Sequence, residues 1–188
     1  MLFILENKVQ DLELGRLCEF LEIIDTKLNE IDQCILKSAE PISDGLCDQG
    51  EYYIGIGFVA IQHHLIDSLI ALDINKKEAY SSGLTHSSGV ASVAVINAAA
   101  NWWKHEAEWF KNGYFLLNDG GSHELTLDIP KNGERAFEII MNISNQYEYA
   151  LSNVLASFSK SKRLSFTRNI IPHIEEWTKV LCVDLVKG

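Results

Sequence analysis

Three groups of residues have the types and spacing that chemistry needs. Asn97, Asn101, His105 and Glu108 follow one another at intervals of four, four and three, so on a helix they share one face. Asparagine is a poor helix former, and two of them in an otherwise apolar run call for a reason. One reason is a buried hydrogen-bonding stripe that fixes helix register. The other is a polar pocket in which His105 serves as acid, base or ligand. The second group, His63, His64 and Asp67, allows either imidazole to face the carboxylate one helical turn away. If the two helices are antiparallel neighbours, His63 or His64, Asp67, His105 and Glu108 converge, a set that could hold a divalent metal. The order is His-x-x-Asp and His-x-x-Glu, not the Glu-x-x-His of di-iron bundles, so metal and cofactor stay open. A purely structural His–Asp or Lys104–Glu108 pair is the competing reading.

The third group is Arg168-Asn169-Ile170-Ile171-Pro172-His173. An arginine, a polar residue after it and a histidine with four residues intervening resembles the motif of HEPN-family ribonucleases, small helical bundles that commonly dimerise. The resemblance implies catalytic roles for Arg168 and His173, support from Asn169, RNA as substrate, a homodimer that completes the site, and a bacterial toxin or defence role. The chemistry suits metal-independent RNA cleavage. Histidine handles the proton of the 2′-hydroxyl or leaving oxygen, and arginine stabilises charge on the phosphate. Lys160, Lys162 and Arg163 add a candidate phosphate track just upstream. The plainer alternative makes residues 160–168 a solvated connector and His173 an ordinary first-turn residue.

Other motifs carry less. Gly55-x-Gly57 has no third glycine and no preceding strand, which excludes a dinucleotide fingerprint. Asp119-Gly120-Gly121-Ser122-His123 lacks a P-loop lysine and reads as a turn. Cys18, Cys34, Cys47 and Cys182 show no paired or CxxC spacing, as expected of reduced thiols in a cytoplasmic protein, and none is set up as a nucleophile. The runs Ile96–Trp109 and Gly57–His64 resemble segments of uncharacterised bacterial proteins, which implies a shared site between the second and third helices.

These groups must be positioned by helices. Apolar residues at Leu17, Leu21, Ile24, Leu28, Ile31 and Ile35 give a helix from about Lys8 to Leu36 with acidic residues opposite. Ser38–Gly50 reads as a loop. Tyr52–Leu72 is a nearly all-apolar second helix, and Gly55 and Gly57 suggest close approach of another backbone. His63, His64 and Asp67 within its apolar stretch argue for a buried helix instead of a membrane span. A third helix is expected over Gly89–Asn112, opening with small residues that allow tight packing. Gly113–Pro130 reads as one long irregular loop, with Glu124–Ile129 extended. A fourth helix is expected over Glu134–Ser157, and a last one from Pro172, with proline tolerated in the first turn. The expected architecture is a single all-α domain over 1–188, an up-and-down bundle of about five helices.

The chain has 188 residues, 47% hydrophobic, and a formal net charge of −10, which excludes a protein coated in basic surface. The charge is unevenly placed. Residues 1–50 hold four Lys/Arg against eleven Asp/Glu, whereas 159–168 carry four basic residues and no acid. Nucleic acid therefore has one place to bind, and a basic protein partner would meet the acidic first helix. Three functions remain open: a HEPN-like protein that cleaves or binds RNA, a metal- or ligand-binding enzyme centred between helices two and three, and a non-catalytic interaction or immunity protein.

Overall fold

Leucines and isoleucines at three- and four-residue spacing fold into the expected first helix, α1 (Leu12–Ile35), with Leu17, Leu21, Ile24, Leu28 and Ile31 buried. It starts four residues later than its pattern suggests. In this computed structural model, which describes residues 2–5, 8–110 and 128–186, the chain before it forms a small antiparallel hairpin. Strand β1 (Leu2–Leu5) pairs with β2 (Lys8–Asp11), Leu2 opposite Asp11. Asp11 then caps α1, accepting from the Leu14 N–H at 3.0 Å.

The remaining helices are α2 (Leu46–Leu72), the short α3 (Lys76–Ala79), α4 (Ser92–Trp109), α5 (Lys131–Ser144), α6 (Ala150–Ser157), the short α7 (Phe166–Asn169) and α8 (Ile171–Val186). The fold is an all-α bundle, as the sequence pattern indicates. Helix α2 is central and packs against α1, α4 and α6. By length and composition α2 is apolar enough to cross a membrane, and 56% of its most apolar 18-residue window is buried within the protein. Ala98, Ala99 and Ala100 are buried on α4, and their small side chains let α4 approach its neighbours closely. Trp102, Trp109 and Trp177 are among the largest fully buried side chains. The Trp177 indole N–H donates to the Ala79 carbonyl at 2.8 Å, tying α8 to α3.

Three expectations need correction. The helix expected over Glu134–Ser157 is two helices, because Asn145 and Tyr149 adopt left-handed backbone (φ 57° and 53°) between α5 and α6. The apolar period runs through the break, so periodicity alone does not reveal it. Gly55 and Gly57 do allow close approach, but of aromatic rings instead of a backbone. A Cβ at Gly55 would overlap Trp103, and one at Gly57 would overlap Phe166. Finally, element bounds shift: α2 begins at Leu46, inside the loop expected over Ser38–Gly50, the third helix is shorter than Gly89–Asn112, and α8 begins one residue before Pro172, which keeps the proline in the first turn. Most of the loop expected over Gly113–Pro130, with Glu124–Leu127 inside it, lies outside the described residues.

Candidate nucleic-acid interface

The cationic segment reaches its position through Asp25 of α1. One carboxylate oxygen accepts from the Phe166 N–H (2.7 Å). The other accepts from Ser165 Oγ (2.7 Å), the Thr167 N–H (3.1 Å) and Thr167 Oγ1 (2.6 Å). An acid placed on the first turn of α7 is favoured by the unpaired N–H groups there. The Phe166 ring lies against Phe58 edge-on, 5.2 Å between centroids, in the space left by Gly57. Asn169 is buried, and its Nδ2 donates to the Arg163 carbonyl at 2.6 Å, holding the connector's backbone. Asn169 is therefore a positioning residue for the segment.

These contacts leave a groove of about 950 Å³ between α1, α6 and the 161–168 segment. Lys162, Arg163 and Arg168 line one side, and Lys160 is exposed just upstream. Among the described residues none of the four forms an ion pair within 4 Å. Across the groove, α1 contributes Glu22, Thr26, Asn29, Asp32 and Gln33. The sequence pattern marked this surface of α1 only as acidic. The missed signal is its own helical spacing, a polar stripe at 22, 26, 29, 32 and 33.

His173 is not brought to this groove. Arg168 lies in the short α7, His173 lies in the first turn of α8, and the His173 ring packs edge-on against Phe158 (5.2 Å). Its Nδ1 is buried with no hydrogen-bond partner among the described residues, and burial lowers its basicity. On the same phenyl ring lies His86, which the sequence did not single out, at 4.6 Å. The Ser88 N–H donates to His86 Nδ1, so Nε2 carries the hydrogen toward Ser157 Oγ (2.9 Å). Ser157 in turn donates to the Val154 carbonyl at 2.6 Å. His86 therefore donates to this serine instead of activating it, and the pair is structural.

The first and second groups do not meet. His64 is buried with Nε2 3.2 Å from Asp11 Oδ2, a close contact without hydrogen-bond alignment. Burial raises the Asp11 carboxyl, yet His64 and the Leu14 N–H outweigh it and hold it below the usual range. His63 is exposed and faces Asp67 at 3.5 Å, and His105 Nδ1 lies 3.1 Å from Glu108 on another surface. Among the described residues no three His, Cys, Asp or Glu gather to hold a metal. The convergent set expected between helices two and three does not form, because His63 faces Asp67 on the exposed side of α2, buried His64 lies against Asp11, and His105 faces Glu108.

A different polar link joins those helices. Buried Gln62 donates through Nε2 to Asn97 Oδ1 (2.9 Å) and Asn101 Oδ1 (3.0 Å), while its Oε1 accepts from Lys104 Nζ (2.7 Å). The two asparagines thus fix the register of α2 against α4. Asn101, His105, Glu108 and Trp109 also line a pocket of about 170 Å³ closed by Pro130, Asn132 and Gly133. Gly133 is required there, since a Cβ would crowd the Trp109 ring. No family model, curated protein or solved structure matches the chain.

Proposed function

We propose that the protein is a HEPN-like RNA-binding protein that takes the phosphate backbone along Lys160, Lys162, Arg163 and Arg168. One observation carries this reading: Lys162, Arg163 and Arg168 line a large groove with Lys160 just upstream, and among the described residues none of the four is in an ion pair, in a chain of net charge −10. Phosphate contacts supply most of the affinity of sequence-independent RNA binding, and unpaired cations neutralise them without breaking other pairs. Anisotropy of a labelled 12-nucleotide RNA tests it. The parent binds, and Lys162→Glu with Arg163→Glu removes binding. Equal binding by that variant, or none by the parent, overturns the reading.

Cleavage belongs to the same proposal on the strength of the resemblance, together with the homodimer and the toxin or defence role. In it Arg168 holds charge on the phosphate and His173, kept neutral by burial, accepts the 2′-hydroxyl proton. With His173 packed on Phe158 away from Arg168's groove, a single copy presents only the arginine to a bound backbone, and the partner copy of the dimer supplies the histidine. Loss of RNA cleavage in both Arg168→Ala and His173→Ala supports this step. Unchanged cleavage removes it and leaves binding standing.

The α4–α5 pocket favours a second reading, a small polar ligand held by Asn101, His105 and Glu108. Ligand-induced shifts in Trp109 fluorescence on titration with nucleosides, lost in Asn101→Ala, test it.

A further inference from the structure

The two walls of the groove differ in chemistry. One is cationic. The other is a single face of α1 carrying two carboxylates, Glu22 and Asp32, and two amides, Asn29 and Gln33. Among the described residues neither carboxylate is in an ion pair, and neither amide has a hydrogen-bond partner within the protein. The third carboxylate on this face, Asp25, is different, because its oxygens are spent on α7.

From this asymmetry we infer that the α1 face reads the base edges of single-stranded RNA, favouring cytosine and adenine over uracil. The inference rests on the RNA-binding reading above and names its substrate class. Phosphates are drawn to Lys162, Arg163 and Arg168 and repelled from Glu22 and Asp32, so a bound strand turns its bases toward α1. A duplex carries phosphates on both flanks, and its second strand would meet the carboxylates. A carboxylate accepts hydrogen bonds from an exocyclic amino group, and a side-chain amide pairs with adenine through its amino group and ring nitrogen. Cytosine and adenine carry such an amino group. Uracil has a carbonyl oxygen where cytosine has the amino group, and Glu22 and Asp32 repel it. Unstacked bases in single strands expose these edges, whereas the deep groove of an RNA duplex hides them.

The experiment is anisotropy with labelled ten-nucleotide oligo(C), oligo(A), oligo(U) and a ten-base-pair RNA duplex, on the parent, Glu22→Gln/Asp32→Asn and Asn29→Ala/Gln33→Ala. The substituted side chains are exposed, and thermal melts check that both variants fold. Oligo(C) and oligo(A) are expected to bind roughly tenfold tighter than oligo(U), with the duplex weaker than oligo(C). The carboxylate variant is expected to bring the C-to-U ratio near one and to tighten duplex binding. The amide variant is expected to lower the preference for oligo(A) over oligo(U). Equal affinity of the parent for oligo(C) and oligo(U), or an unchanged ratio in the carboxylate variant, overturns base reading while RNA binding stands. Failure of every RNA to bind overturns both.

Discussion

His86 and His173 sit on one phenyl ring, and burial lowers the basicity of both, with His173 acting on His86 as well. Each binds fewer protons folded than unfolded. Their contribution to stability is therefore present above the ordinary histidine value of 6.5 and is lost as pH falls below it. Denaturant unfolding between pH 7 and 5 should show this loss, and His86→Gln with His173→Gln should flatten it. An unchanged slope in the double variant contradicts the burial argument. Glu106 has the opposite sign. Burial, then repulsion from Glu51, pushes its carboxyl up to about 7. Its contribution is full below the ordinary 4.5 and is lost as pH rises through about 7. Glu106→Gln is expected to stabilise the protein at pH 8 relative to pH 5, where identical effects at both would contradict this. At this scale the sequence was readable where spacing acts, as in Asn97 and Asn101 on one face. His86 was not readable, since its partners Ser157 and Phe158 lie about seventy residues away.

Two carboxylates from long helices hold two short ones. Asp25 fastens α7, and Glu51 fastens α6 by accepting from the Leu151 N–H (2.7 Å), the Ser152 N–H (2.9 Å) and Ser152 Oγ (2.5 Å). Lost caps and lost charged hydrogen bonds cost about 1–3 kcal/mol each. Asp25→Ala should therefore lower unfolding free energy by about 1–3 kcal/mol and raise hydrogen exchange over 165–169 before the rest of the bundle. Uniform exchange would show that Asp25 does not hold the segment. Gly57→Ala drives a methyl into the Phe166 ring, and overpacking of this kind costs about 1–3 kcal/mol. These ties explain what could be read at the level of elements. The faces of α1 and the position of α4 followed from the apolar period. The break between α5 and α6 did not, because left-handed Asn145 and Tyr149 leave that period intact and Glu51, a hundred residues earlier, caps the new start. The hairpin before α1 also escaped, its pairing being too short to stand out from the helical pattern beside it.

Across the whole molecule a net charge of −10 conceals one cationic rim facing one polar helix face. The rim was legible in the sequence as a run of basic residues. The groove was not, since its second wall comes from α1, more than 120 residues earlier in the chain. A protein that binds RNA through so few phosphate contacts should show a modest but definite salt dependence. For single strands the slope of log affinity against log salt is about −0.7 per neutralised phosphate, so three or four contacts give a slope of about −2 to −3. The direct measurement is that slope between 50 and 200 mM salt, taken on the parent and on Arg163→Ala. The parent should give about −2 to −3 and the variant a slope shallower by about 0.7, with weaker binding to every sequence. A parent slope near zero, or a variant with the parent's slope and affinity, would show that the 160–168 rim does not carry the RNA.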